Sequence, residues 1–133
     1  KAEEIQELAK SLNLQDRVKL LGFRSDAKQI CYCADVFAFP SKREGLGLSA
    51  LEAMVAGLPL ITSNVHGIND YSINGKSGYS CAPMDADGFA AAIRKLYESE
   101  AGRKEMGAYN REQVKRFDVK KVNALMREFY SSI

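Results

Sequence analysis

Ile5, Leu8, Ala9 and Leu12 recur at helical spacing, and this predicts an amphipathic helix with one buried face near the start of the chain. The period then shortens. "RVKLLGF" reads as a short strand ending at Gly22, and "DAKQICYCA" as a second helix with Asp26 as its N-cap. "DVFAFPS" is a nearly unbroken apolar run closed by Pro40, the pattern of a strand buried on both faces of a parallel sheet. After a glycine-spaced loop, "SALEAMVA" predicts a helix with Ser49 near its start and Gly57 and Pro59 at its end. "LPLITS" is another buried strand, and "NGKSGYSCAP" a turn leading into a strand around Tyr79 to Cys81. Phe89, Ile93, Leu96 and Tyr97 line one face of the next helix. From about Glu100 everything reads helical. Met106, Tyr109, Gln113, Val114 and Phe117 lie on one segment, and Val122, Leu125, Met126, Phe129 and Tyr130 on the last.

Strands alternating with helices predict an α/β domain: a Rossmann-like parallel sheet flanked by helices, with right-handed crossovers. Ligands of such sheets sit beyond the carboxyl ends of the strands. The loops at those ends are Gly22 to Asp26, Pro40 to Leu48 and Ser63 to Asp70.

Composition narrows the picture little. The 133 residues are 46% hydrophobic and 27% charged, as in an ordinary globular domain. A net charge of +2 is too small to argue for a nucleic-acid partner. No apolar run approaches the ~20 residues of a membrane span. The three cysteines, Cys31, Cys33 and Cys81, lack the spacing of a zinc site or a disulfide framework, which fits reduced thiols and a cytoplasmic location. Basic residues crowd the last helices, but Glu105, Glu112 and Asp118 are interspersed, as on a solvated face. Contact with a membrane surface or a partner domain is the alternative.

The chemistry concentrates in "REGLGLSALEAMVAGLPL". Gly45 and Gly47 remove side chains where a backbone must approach a ligand, and the amides from Gly45 to Ser49 open a helix whose N-terminus favours an anion such as a diphosphate. Glu44 and Glu52 flank that loop. An ionised carboxylate only accepts hydrogen bonds, so its natural partner is a donor such as a sugar diol. Glu52, about one turn into the helix, could reach a ribose, and Glu44 a transferred sugar. A solvated helix residue for Glu52, and a first-turn carboxylate complementing the helix dipole for Glu44, are the plain alternatives.

"ADVFAFPSKREGLGLSALEAMVAGLPLITSNVHGI" followed by "NGKSGYSCAPMDADGFAAAIRKL" resembles the C-terminal domain of glycosyltransferase family 4, the glycosyl transferases group 1 domain, of GT-B architecture. The likeness runs from about Leu12 to Phe117, with a helical tail over 118–133. Its sharpest feature is the pair Glu44 and Glu52 with seven residues between them. The resemblance implies a retaining, metal-independent transferase that uses a nucleotide-diphosphate sugar and no cofactor. Position by position it implies Glu44 against the donor sugar as the catalytic carboxylate, and the amides of Gly45, Leu46, Gly47 and Leu48 on the diphosphate. It further implies Glu52 on the ribose and the backbone of Gly22, Phe23 and Arg24 beside the base. Where the family often has Asp-Val-Gly-Gly-Ile-Pro-Glu, this chain has Asn64-Val65-His66-Gly67-Ile68-Asn69-Asp70.

The resemblance also implies two pieces upstream of Lys1: an N-terminal acceptor-binding domain and the first two strands of the C-terminal sheet. The basic residues that neutralise the leaving diphosphate lie there, so the chain alone is expected to be inactive. Strands 18–21 and 36–39 either pair directly or leave a gap for another chain. Phe129 and Tyr130 are either exposed or drive dimerisation. The expected role is donor binding in the assembly of cell-surface polysaccharide or glycolipid, in the cytoplasm or at the inner face of the membrane. A non-catalytic nucleotide-sugar-binding module and a GT-B sugar-nucleotide epimerase half are the competing readings.

Overall fold

The computed structural model describes residues 1–132; Ile133, the end of the expected helical tail, lies outside the described residues. In chain order the elements are α1 (Ala2–Ser11), α2 (Ala27–Cys31), β1 (Phe37–Phe39), α3 (Leu48–Ala56), β2 (Leu60–Ser63), β3 (Gly78–Cys81), α4 (Ala86–Glu98), α5 (Glu100–Gln113) and α6 (Val119–Ser131). Short 3-10 turns cover His66–Ile68 and Val114–Phe117. The three strands form one parallel sheet in the order β1-β2-β3, with Phe37 opposite Leu60 and Leu60 opposite Gly78.

β2 is the centre of the molecule. All four of its residues are buried, and the two faces of the strand enter two different apolar clusters. Leu60 joins Ala50, Ala53 and Met54 of α3, with Ile68 and Tyr71. Ile61 faces the other way, onto Ala92 and Leu96 of α4. Each of the fully buried Leu, Ile and Met side chains among these contributes roughly 1.5–3 kcal/mol. α3 stops where glycine permits it: Gly57 takes φ 80°, the left-handed C-cap, and Leu58 N–H closes the turn on Ala53.

Several expectations need correction. The segment Val18 to Leu21 forms no strand, because no described strand lies beside it to take its hydrogen bonds. It therefore does not pair with residues 36–39. β1 is consequently an edge, and Ala38 is exposed rather than buried on both faces. Asp26 precedes α2 but makes no side-chain cap. Its two oxygens instead accept from Arg24 Nε at 2.7 Å and Nη2 at 2.6 Å, so the acceptors a cap would use are already taken. The core-facing stripe of α4 is Ala92 and Leu96, with Phe89 partly buried beside them, while Ile93 and Tyr97 are exposed. Only Ala9 of the α1 face is buried, and the apolar residues of α6, Phe129 and Tyr130 included, are exposed.

Asn110 is a core residue that hydropathy hides. Its side-chain amide is fully buried and donates at 2.8 Å to both the Leu58 and Ser77 carbonyls. It thereby ties α5 to the segments leading into β2 and β3. Gly107, one turn earlier, packs on the Gly57 carbonyl, so helix and backbone meet without an intervening side chain. No described helix is long and apolar enough to cross a membrane.

Candidate functional site

Two carboxyl-end loops and the N-terminus of α3 converge beyond β1 and β2. Gly47, at φ 73°, is the residue before the helix, and its carbonyl accepts the first turn from Ala50 and Leu51. Among the described residues the amides of Leu46 through Ser49 have no protein acceptor. They form the open end of a helix and carry its partial positive charge. The Gly45 amide differs: it donates to Glu44 Oε1 at 3.1 Å, so this part of the expected anion cradle is already closed by a protein carboxylate.

The loop is held from below. A Cβ on Gly67, which sits at φ 53° in the 3-10 turn, would run into the Gly45 carbonyl. The two loops therefore touch backbone to backbone. His66 is exposed beside that contact. Tyr71 follows the turn, and its hydroxyl reaches up under Gly47.

A pocket of about 410 Å³ opens on the other side of α3. Gly22, Phe23 and Arg24 form one wall, α2 contributes Ala27, Ile30 and Cys31, and Ser49 and Glu52 of α3 form the opposite wall. The lining is mainly apolar with a few polar groups, the usual make-up of a small-molecule site. Phe23 is 98% exposed, an unusual position for a phenyl ring and one open to stacking. Glu52 is half-buried and pairs with Lys28 Nζ at 3.4 Å. Burial and the Glu52 charge push the Cys31 thiol up from its ordinary range.

The residues singled out in the sequence thus fall into two groups. Gly22, Phe23, Arg24 and Glu52 share the pocket. Glu44, Gly45, Leu46 and Gly47 do not line it, and Leu48 faces a neighbouring groove with Leu51, Val55 and Phe117. Glu52 lines that groove as well as the pocket. Lys42 and Arg43 are exposed. Among the described residues no group of three or more His, Cys, Asp or Glu side chains could hold a metal ion.

Two residues were missed. Lys28 reads in the sequence as one more basic residue on a solvated helix, and only folding sets it against Glu52. Tyr71 reads as a core aromatic, which it is, at 1% exposure. Its hydroxyl, however, is buried with no hydrogen-bond partner, a state that costs about 1–3 kcal/mol. Burial, and secondarily the Glu44 charge, push it up to about 12.

Three parallel strands flanked by helices make this the Rossmann-like α/β fold of GT-B glycosyltransferase structures. The family model for glycosyl transferases group 1 matches residues 1–113, and the chain belongs to that family. It is 50% identical over 68 residues to a glycogen synthase of Mycobacterium tuberculosis, covering 51% of this chain and 16% of that one. It is 34% identical over 110 residues to the N-acetyl-alpha-D-glucosaminyl L-malate synthase of Bacillus anthracis, covering 83% and 29%. Among solved structures it is similar to Anabaena Alr3699/HepE in complex with UDP, at 28% identity and a TM-score of 0.94, covering 99% of this chain and 37% of that one. The chain thus spans well under half the length of these relatives.

Proposed function

We propose that this chain is the donor-binding portion of a retaining, family 4 glycosyltransferase, moving a sugar from a nucleotide-diphosphate sugar to an acceptor. The observation that carries this reading is the convergence of Gly22, Phe23, Arg24, Ser49 and Glu52 on one pocket beside the open N-terminus of α3. The base lies along residues 22–24, and Phe23 offers it a face. The ribose diol donates to Glu52, which exchanges Lys28 for the two hydroxyls. The diphosphate then crosses the α3 N-terminus, where unpartnered amides supply donors and the helix dipole favours negative charge. Beyond it the sugar meets Glu44. Each carboxylate faces a sugar rather than a phosphate, which limits the repulsion. UDP in the similar Anabaena protein is consistent with such a ligand.

The acceptor would be held by another domain of a longer protein. Synthesis of cell-surface polysaccharide or glycolipid, at the cytoplasmic face of a membrane, is the setting proposed. No cofactor besides the donor, and no metal, is part of this scheme.

Isothermal titration of UDP into the chain tests it. Glu52→Gln removes the charge on the diol acceptor, and UDP affinity should fall at least about tenfold, which is about 1.4 kcal/mol. Unchanged affinity would remove the ribose assignment.

A further inference from the structure

Tyr71 holds a hydroxyl where the fold needs only a ring. The ring packs edge-on against Phe117, with centroids 6.1 Å apart, and sits in the apolar cluster around Met54, Leu60 and Ile68. Phenylalanine would fill the same space without burying an unpaired O–H. Yet the oxygen ends beneath the glycine loop: the point where Gly47 would carry a Cβ lies 2.5 Å from the Tyr71 hydroxyl, 3.0 Å from Phe39 Cε1 and 3.2 Å from Glu44 Cγ. Hydroxyl and carboxylate stem thus flank the same small space. The Glu44 charge already acts on the phenol, pushing it up secondarily to burial. One Glu44 oxygen is held on the Gly45 amide.

A buried donor without a partner calls for an acceptor. We propose that Tyr71 is a positioning residue for Glu44: a diphosphate oxygen takes the Gly45 amide, and the freed Glu44 carboxylate turns onto the Tyr71 hydroxyl. Each donor has one acceptor after the exchange, and none is lost. The phosphate replaces the carboxylate on Gly45 N–H, and the carboxylate pairs the O–H that was open. Held there by one oxygen, Glu44 keeps the other for the hydroxyls of the sugar. The phenol remains neutral across the physiological range, so it acts as a donor to the carboxylate throughout. This inference rests on the donor-site reading above and adds to it a device that couples phosphate arrival to placement of the carboxylate.

The test combines UDP titration with thermal melting for the wild-type chain, Tyr71→Phe, Glu44→Gln and the double variant. Tyr71→Phe is expected to melt at or above the wild-type temperature, because the unpaired hydroxyl is gone. It should nonetheless bind UDP at least about fivefold more weakly, which is about 1 kcal/mol. The double variant should bind no more weakly than Glu44→Gln alone. With [ζ-13C]tyrosine labelling, the resonance absent from Tyr71→Phe should shift on UDP saturation in the wild type and stay in place in Glu44→Gln. Wild-type affinity in Tyr71→Phe, an unmoved resonance, or a Tyr71→Phe chain that melts well below the wild type would overturn the inference while the donor-site reading stands. Failure of the wild-type chain itself to bind UDP would sink that reading, and this inference with it.

Discussion

Glu52, Glu44 and Tyr71 show how far one side chain's role depends on what surrounds it. Glu52 sits among a lysine, a thiol and a pocket wall, and its charge already acts on the Cys31 thiol. Glu44 is turned back onto its own loop. Tyr71 carries a proton the folded chain holds to about pH 12, whereas an unfolded tyrosine releases it near 10. The raised value means that the folded state binds this proton more tightly. Stability from this group is therefore complete below pH 10 and is lost as pH climbs through the window up to about 12. Urea unfolding midpoints measured across that window should fall with pH, and the fall should be shallower in Tyr71→Phe. Equal slopes in the two chains would show that the phenol is not protected. The Arg24–Asp26 pair is exposed and, although it holds the Asp26 carboxyl below its usual range, it belongs to the shape of the pocket wall more than to stability.

At the scale of elements, the site depends on two loops locked together and a helix capped by glycine at both ends. Gly67 lets the turn after β2 press on the Gly45 carbonyl, and this fixes the height of the loop ahead of α3. Gly67→Ala combines a positive φ with a backbone collision, so it should lower stability by at least about 1–3 kcal/mol. UDP titration should show weaker binding as well, because the amides before α3 are displaced. Gly75→Ala provides the comparison. It has φ 80° but open space around it, so it should show only the backbone part and leave UDP affinity unchanged. Equal losses of binding in the two would mean that contact between the loops is irrelevant to the ligand. Much at this scale was legible in the sequence. The span of α3, its glycine stop and the strand at Leu60 follow from an apolar run bounded by Gly and Pro. The collision at Gly67 was not, because the sequence shows a glycine but not the carbonyl opposite it.

The whole molecule is unevenly built. β2 is bonded on both sides and buried on both faces, whereas among the described residues Val18 to Leu21 lies against no strand and β1 has one open edge. Native-state hydrogen exchange should reflect this. The amides of Lys19, Leu20 and Leu21 should exchange at close to unprotected rates, and those of Leu60 to Ser63 only through global opening. Protection of comparable size at both places would mean that residues 18–21 find a strand partner in solution. The exposed apolar faces of α1 and α6 belong to the same unevenness, since their helical periodicity anticipates a partner that the described residues do not supply.

Local chemistry was written in the chain. Hydrophobic period and helix-stopping glycines define an α/β domain, and the loop between two glutamates carries its resemblance to the glycosyl transferases group 1 family, because each depends on residues close together in sequence. What folding alone decided were relations across long stretches of chain. It set Asn110 on two distant carbonyls and Lys28 on Glu52, and it gathered residues 22–24 and Glu52 around one pocket. It also left Val18 to Leu21 beside no described strand and brought the Tyr71 hydroxyl, unpaired among the described residues, beneath Gly47. A strand needs an adjacent strand and a buried donor needs an acceptor, and whether either is met depends on which distant segments close packing brings together.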